Sequence, residues 1–240
     1  MRRPVPRGEV VAHPVVDVRD SERHQVVEEP LSRRTASEGL IADPGPLGLA
    51  GFAATTFALS VFNARIINNA PLEAVVLPLA LFYGGLAQLL AGMWEFRKGN
   101  TFGALAFTSF GAFWLSFATY VKFVAPGLPK GTSHEATGLF LLIWAIFTSY
   151  MLIASLRTNG AVAAVFLALT ATFILLTIGA LGQHDSFTKA GGWAGLVTAV
   201  LAWYASFAGV TNATWGRTVL PVVPLAEGSH RGSDRSARTA

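Results

Sequence analysis

The chain has 240 residues, of which 52% are hydrophobic and only 13% are charged, and its mean hydropathy is +0.48. A soluble domain carries about 25% charged residues, so this composition disfavours a soluble enzyme. The charges are also unevenly placed, because residues 1–46 and 217–240 hold 21 of the 32 charged side chains. The long central part of the chain is therefore too apolar to be covered by water.

Several classes of site are excluded by the residue types. The chain has no cysteine, which removes disulfides, zinc ribbons and thiol nucleophiles. A metal centre needs clustered His, Asp or Glu, whereas the five histidines are expected in tails or loops, at His13, His24, His134, His184 and His230. We therefore expect no catalytic residue, no metal, no cofactor and no enzyme activity. Nucleic-acid binding is not expected either, because the arginines of the N-terminal region alternate with acidic residues and form no basic patch.

Six apolar stretches follow the N-terminal region, each bounded by charged or turn residues. They cover residues 47–63, 74–94, 101–121, 136–156, 160–181 and 190–212. Most are about 20 residues long, which is the length that a helix needs to cross the bilayer. The stretches are continuously apolar, whereas the strands of a membrane barrel alternate in polarity. The sequence therefore predicts an all-α polytopic membrane protein with six transmembrane helices.

The distribution of Lys and Arg predicts the orientation of these spans. An even number of spans places both termini on one side, and that side carries 14 basic residues against four on the other. By the positive-inside rule, both termini are cytoplasmic in the plasma membrane. The flanking regions are rich in Pro, Arg, Glu and Ser, so we expect disordered cytoplasmic tails over residues 1–42 and 222–240 around a six-helix domain over residues 43–221.

The spans contain few polar side chains, and those few narrow the mechanism. No ionisable residue lies away from the ends of a span, which argues against a buried proton relay. Most Ser and Thr hydroxyls are expected to bond back to their own helix. Asn63 and Gln88 differ, because a carboxamide cannot satisfy its four bonding positions on its own helix. Either they line a pore or they join helices, and Thr55 and Thr56 are further neutral hydrogen-bonding groups in the first span.

Other residues inside the spans predict how the helices are shaped and packed. Pro78 is expected to kink the second span and to free a carbonyl. Small residues recur at four-residue spacing in the sixth span, at Gly191, Gly195 and Ala199, which favours close approach of helices within the bundle or between subunits. Deep aromatic residues such as Trp144 either pack the core or form a hydrophobic constriction.

Three segments carry a resemblance to a known family. They are DPGPLGLAGFAATT at residues 43–56, FYGGLAQLLAGMWEFRKGNTFGALAFTSFGAFW at residues 82–114 and WGRTVLP at residues 215–221. Together they resemble the acetate uptake transporter family, also called the GPR1/FUN34/YaaH family, over about 180 residues. The first-helix motif of that family, NPxPLG, matches Asp43, Pro44, Pro46 and Gly48, with Asp43 in place of the usual Asn.

The resemblance implies a six-helix protein that transports acetate and similar short monocarboxylates, and in some members succinate. Transport in the family is either passive or coupled to a proton gradient. It also implies a homohexamer with one path per protomer. The matching positions for a hydrophobic constriction in that path are Phe52, Phe110 and Leu169, and bacterial relatives often have Tyr at the position of Phe110. Asn63 and Gln88 fall at matching polar positions. With Thr55 and Thr56, they could supply hydrogen-bond donors to a small carboxylate.

Asp43 is expected to cap the first helix by accepting its free amide protons, although its charge would partly repel an anion. Because the spans hold no deep acid, proton coupling would use Asp43, Glu73 or Glu95, or the protonated acid itself would be taken up. Two other functions stay open at this point. One is a non-conducting membrane sensor or interaction protein, suggested by the charged N-terminal tail, and the other is a channel for small neutral molecules such as ammonia.

Overall fold

The structure is a computed structural model that describes residues 41–225, and six helices in this range are long and apolar enough to cross a membrane. They are α1 (Gly45–Asn63), α2 (Pro71–Lys98), α3 (Thr101–Gly127), α4 (Ser133–Ser155), α5 (Gly160–Leu181) and α6 (Asp185–Trp215). The predicted all-α fold with six spans is confirmed. The predicted tails lie outside the described residues, apart from 41–42 and 222–225, and stay predictions.

Short capped turns join the helices at the end where α1 begins. α2 ends at Gly99, whose φ of +79° is the left-handed conformation that glycine adopts readily. Asn100 starts α3 because its Oδ1 accepts the Gly103 N–H at 3.1 Å. Asn159 starts α5 in the same way, accepting the Val162 N–H at 3.0 Å. These turns place the first residues of α1, α3 and α5 at one end of the bundle.

The helices pack as a ring in the order α3, α2, α1, α6, α5, α4. Most neighbours touch along their backbones, but α3 and α4 meet mainly through large aromatic side chains. Phe113 stacks on Phe140 with ring centroids 5.6 Å apart, and Phe110 meets Phe147 edge-on at 5.3 Å. These large side chains therefore hold the backbones of α3 and α4 further apart than those of the other neighbours.

Glycines allow the closest helix contacts. In α6, Gly192 faces the backbone of Ala64 and Gly195 faces Ser60, both at the end of α1, while Gly191 faces Leu176 in α5. The small-residue pattern of the sixth span therefore serves packing inside the chain.

α2 changes its winding directly after Pro78. Residues Leu79–Ala87 form a π-helix, because proline lacks the N–H that would continue the α-helical ladder. The carbonyl of Leu79 accepts a hydrogen bond from the Thr55 hydroxyl at 3.3 Å. The disturbance expected at Pro78 thus takes the form of a wider turn, which is joined to α1 through the Thr55 hydroxyl.

The segment after α6 folds back onto the bundle. The Asn212 side chain accepts the N–H groups of Val219 and Leu220 at 2.7 and 2.9 Å. The Gly160 N–H donates to the Val223 carbonyl at 2.7 Å, and the Leu225 N–H donates to the carbonyl of Thr158 at 3.1 Å. The chain is thus attached to the α4–α5 turn through residue 225, four residues beyond the predicted domain boundary.

Candidate functional site

Two cavities lie inside the ring of helices, one opening at each end. The proximal cavity lies at the end where α1 begins and has a volume of about 490 Å³. Asp43, Gln88 and Phe166 are among the residues that line it. The distal cavity, at the other end, has a volume of about 520 Å³ and reaches Asn63 and Asp185. Phe52 and Leu169 line both cavities, so the two spaces meet at these side chains.

The residues that the resemblance assigned to a constriction lie together at this meeting point. Phe52, Phe110 and Leu169, which we call the neck, are 3–4% exposed and belong to one buried apolar cluster. The rings of Phe52 and Phe110 have centroids 5.6 Å apart. Phe110 is held from behind by Phe147 and Phe166 at 5.3 and 6.0 Å. The neck is therefore an apolar barrier between two cavities whose mouths carry polar groups.

A second ring of side chains lies next to the neck on the distal side. The three neck residues sit on α1, α3 and α5, which run in the same direction, and four residues further along these helices are Thr56, Trp114 and Phe173. A step of four residues is about one turn, or about 6 Å along the axis. All three side chains are buried and line the distal cavity. We call them the distal ring.

The predicted polar donors fall on different sides of the neck. Gln88, 1% exposed, lines the proximal cavity, and its Oε1 has no hydrogen-bond partner within residues 41–225. Thr56 and Asn63 line the distal cavity. Thr55 lines neither cavity, because its hydroxyl donates to the carbonyl of Gly51 at 3.0 Å and to that of Leu79 at 3.3 Å. Its part in the structure is to join α1 to α2.

Charged groups gather at the mouth of the proximal cavity. Asp43 Oδ1 accepts from Lys98 Nζ at 2.9 Å and from the Gly45 N–H at 3.0 Å. Asp43 was expected at the N-cap position of α1, but that position is occupied by Pro44. Asp43 lies one residue before the N-cap and still accepts an amide proton of the first turn. Glu95 is 1% exposed, and its Oε2 accepts from Asn100 Nδ2 at 2.8 Å.

The remaining first-helix motif residues anchor α1 to its neighbours. The Pro46 carbonyl accepts from the Ser206 hydroxyl at 2.7 Å, and Gly48 lies against the Phe107 ring, where a methyl group would meet Cδ1 at 2.6 Å. Pro44 is buried. Glu73 lines the distal cavity, so the structure separates it from Asp43 and Glu95.

Sequence reasoning missed two features of this site. It judged Glu95 by its distance from the end of a span, whereas the side chain is buried because the start of α3 covers it. It also gave Trp114 no role of its own, although this residue ends the second of the segments that carry the resemblance. The four-residue step from Phe110 was the signal that could have found it. Among the described residues, 41–225, no group of three or more His, Asp or Glu is placed to hold a metal ion.

Comparisons with known proteins agree with this architecture. The GPR1/FUN34/yaaH family profile matches residues 29–227. The succinate-acetate/proton symporter SatP of Escherichia coli K12 is 38% identical over 182 residues, which are 76% of this chain and 95% of that protein. The ammonia transport outward protein 2 of Saccharomyces cerevisiae is 42% identical over 190 residues, which are 77% of this chain and 66% of that protein.

A solved structure of the bacterial acetate channel SatP is also similar. It has a TM-score of 0.71 and 38% sequence identity, and the match covers 76% of this chain and 99% of that one. The family profile spans most of the chain, and the fold has six membrane-spanning helices. The chain therefore belongs to the GPR1/FUN34/yaaH family, a family of multi-pass membrane transporters and channels rather than enzymes.

Proposed function

We propose that the chain moves acetate and related short carboxylates, including succinate, across the plasma membrane through a path inside each protomer. The observation that carries this proposal is the pair of cavities that meet at the neck. Support also comes from two similar proteins, a succinate-acetate/proton symporter and an acetate channel.

The chemistry of the path suits a small carboxylate. Such an ion needs hydrogen-bond donors for its oxygens and an apolar surface for its methyl group. Gln88 offers an amide on the proximal side of the neck and Thr56 a hydroxyl on the distal side, while Phe52, Phe110 and Leu169 form the apolar barrier. A hydrophobic constriction of this kind excludes hydrated bulk ions.

We infer that transport is coupled to protons through carboxylates at the proximal mouth or through uptake of the protonated acid. Asp43 and Glu95 support the first route, because both line the proximal cavity beside Lys98. Neither carboxylate lies at the neck, so on the first route the coupling proton would bind on the proximal side of the barrier.

The assembly and orientation are proposals as well. We propose a homohexamer in the lipid bilayer with both termini in the cytoplasm, so that the proximal cavity opens inward. The charge distribution supports this orientation, with 14 basic residues on one side and four on the other. Native mass spectrometry of the protein in nanodiscs tests the assembly, and a lower subunit number would overturn it.

Uptake of labelled acetate into proteoliposomes tests the function. We expect uptake above that of empty liposomes, inhibited by unlabelled acetate, and accumulation when a pH gradient is imposed. Uptake that reaches equilibrium but ignores the gradient would indicate a channel in place of a symporter. A well-incorporated protein with no uptake of acetate, lactate, succinate or formate would contradict the proposal and favour the non-conducting sensor.

A pair of variants on α5 tests whether the neck lies in the path. Leu169 is 3% exposed and lines both cavities, whereas Leu167 is 63% exposed on the outer face of the same helix. Leu169→Ala is expected to raise the flux of lactate relative to acetate at least about fivefold, because pocket size sets this kind of discrimination. Leu167→Ala is the matched control and should leave the ratio unchanged. Equal ratios in both variants would place the path elsewhere.

Transport of a small neutral molecule is the second candidate. It is favoured by the 42% identity to an ammonia transport outward protein and by the apolar neck. Stopped-flow measurement of the internal pH after an ammonium pulse distinguishes it from acetate transport in the same liposomes. Faster alkalinisation than in empty liposomes, without acetate uptake, would support this candidate.

A further inference from the structure

We propose that residues 219–225, which we call the strap, form a fixed wall of the proximal cavity and limit the size of the carboxylate that enters it. Asn212 is the positioning residue that holds the strap in this place. The inference goes beyond the proposed function and rests on it only for the identity of the substrate.

The strap begins within WGRTVLP, the third segment that carries the family resemblance. Gly216 ends α6 in the left-handed conformation, with a φ of +63°, and lets the chain leave the helix. Val222 of the strap is half-buried and lines the proximal cavity, together with Asn212 of α6 and Asn159 of the α4–α5 turn. None of these three carries a charge, so the strap contributes to the shape of the opening and not to its charge.

Asn212 holds the start of the strap. Its Oδ1 accepts the N–H groups of Val219 and Leu220 at 2.7 and 2.9 Å, and its Nδ2 donates to the Leu220 carbonyl at 2.8 Å. The strap thus uses three of the four bonding positions of this carboxamide. The Tyr204 hydroxyl adds a bond to the Pro221 carbonyl at 2.6 Å. Although Asn212 lines the cavity, its side chain serves the strap.

The first turn of α5 holds the other end of the strap. The Gly160 N–H donates to the Val223 carbonyl at 2.7 Å, and the Ala161 N–H donates to the Val222 carbonyl at 3.3 Å. The first N–H groups of a helix have no partner inside that helix, and the strap supplies partners for these two. Detachment would remove both bonds, which favours a strap that stays in place while substrate passes.

The backbone of Val223 shows that contacts determine the course of the strap. Its φ is +50°, in the left-handed region that a β-branched residue rarely adopts. Such a conformation persists only where the surrounding structure fixes it. Here the Val223 carbonyl is bonded to Gly160, and the Leu225 N–H donates to the Thr158 carbonyl at 3.1 Å. The strap is therefore held against the α4–α5 turn despite an unfavourable local conformation.

A cysteine reporter measures the width of the opening, because the chain has no cysteine of its own. Leu49 lines the proximal cavity and Thr188 the distal cavity. Leu49→Cys and Thr188→Cys are each reacted in detergent with methyl methanethiosulfonate and with the bulkier benzyl methanethiosulfonate. If Leu49→Cys does not fold, Val162→Cys replaces it as the proximal reporter.

Release of the strap should admit the bulkier reagent. Asn212→Leu removes all three bonds to the strap, and we expect it to raise the rate of benzyl labelling at the proximal reporter at least about fivefold, since the size of an opening gives discrimination of this order. Methyl labelling and the distal reporter should be unchanged. Asn212→Asp keeps the oxygen that accepts from Val219 and Leu220 and should label like the original chain.

A second variant releases the other end of the strap. Gly160→Pro removes the N–H that binds the Val223 carbonyl, and proline suits the first position of a helix. Asn159 before it is already extended, with φ of −141° and ψ of 161°, as a residue before proline prefers. We expect the same gain in benzyl labelling. This variant decides the test if Asn212→Leu does not fold.

Inhibition by benzoate tests the consequence for transport. Benzoate needs only to enter the proximal cavity, without passing the neck, in order to compete with acetate. In proteoliposomes, the benzoate concentration that halves acetate uptake should fall at least about fivefold in Asn212→Leu and stay unchanged in Asn212→Asp. An equal effect of benzoate on all three chains would contradict the size limit.

A disulfide tests whether the wall is fixed. Asn159 and Pro224 form an antiparallel bridge, and residues opposed in this way have Cα atoms about 4.5–5.5 Å apart, within the range of a disulfide. The double variant Asn159→Cys/Pro224→Cys should crosslink and should transport acetate equally when oxidised and when reduced. Transport that stops on oxidation and returns on reduction would show that the strap is a moving lid. Failure to crosslink would show that it does not lie on the turn.

The outcomes distinguish the two proposals. If releasing the strap leaves benzyl labelling unchanged, or changes the proximal and distal reporters alike, the inference is wrong and the proposed function stands. If the original chain carries no acetate, the proposed function fails, while the labelling rates still decide whether the strap limits the opening.

Discussion

The charged side chains Lys98, Asp43 and Glu95 at the proximal mouth each form a hydrogen bond with a neighbouring side chain. Lys98 donates to Asp43, and Glu95 accepts from Asn100. The cation that would attract an anionic substrate therefore has its field partly cancelled by a neighbouring carboxylate. The net charge at this mouth therefore depends on single residues and can be changed by a single substitution.

Replacing Asp43 tests this balance. In Asp43→Asn the carboxamide oxygen still accepts the Gly45 N–H, while the charge that neutralises Lys98 is lost. We expect acetate transport to be unchanged or raised, and any gain to fade in high salt because exposed charges are screened within about 10 Å at 0.1 M. Rates of uptake into proteoliposomes at low and high ionic strength measure the effect. Complete loss of transport would instead assign the coupling proton to Asp43.

For single residues, the sequence predicted which side chains could donate hydrogen bonds, but it did not predict which of them face a cavity. Gln88 and Thr56 were selected as donors, and each lines one of the two cavities that meet at the neck. Thr55 has the same chemistry and the neighbouring position, yet it faces α2 and bonds main-chain carbonyls. Which of two adjacent threonines faces the cavity depends on the rotation of α1 in the bundle, which its own weakly amphipathic sequence does not specify.

At the scale of the helices, packing of α2 on α3 depends on glycine at the point of closest contact. Gly111 is buried on α3, and a methyl group there would lie 2.6 Å from the Leu89 nitrogen and 2.8 Å from its Cα. These are backbone atoms, so the clash cannot be relieved by turning a side chain. The two helices would have to separate.

Gly111→Ala is therefore expected to destabilise the protein by about 1–3 kcal/mol, the usual cost of overpacking a close contact. Gly127→Ala is the control, because a methyl group there meets nothing within 4 Å and the residue has no positive φ. Thermal unfolding of the two variants in the same detergent checks the difference. Equal melting temperatures would show that the α2–α3 contact tolerates separation.

The helices were predicted in number and type, but their ends and internal winding were not. The sixth span was expected over residues 190–212, whereas α6 runs Asp185–Trp215. Hydropathy marks only the part of a helix that is apolar, and polar turns beyond it are added by caps and neighbouring contacts. The π-helix after Pro78 was likewise not predicted, because a proline in a span indicates a disturbed hydrogen-bond ladder but not the winding that follows it.

At the scale of the whole molecule, three helices that run in the same direction place residues four apart in sequence at successive levels of one path. α1, α3 and α5 begin at the same end, so residues four apart in each helix form successive rings around one axis. The first ring is the apolar neck, and the next adds Thr56 and Trp114. This layering needs three helices that are distant in sequence, which is why single-helix patterns did not reveal it.

The orientation of this path is the property that the charge distribution predicts and that labelling can measure. The chain has no cysteine, so a single introduced cysteine reports its own side of the membrane. Arg97, at the end of α2, and Lys130, in the α3–α4 loop, are both exposed, and each replacement removes one positive charge. In intact cells, a membrane-impermeant maleimide should label Lys130→Cys, whereas Arg97→Cys should need permeabilised cells. The cysteine-free original chain controls for background, and the reverse labelling pattern would place the proximal cavity and its carboxylates on the outside.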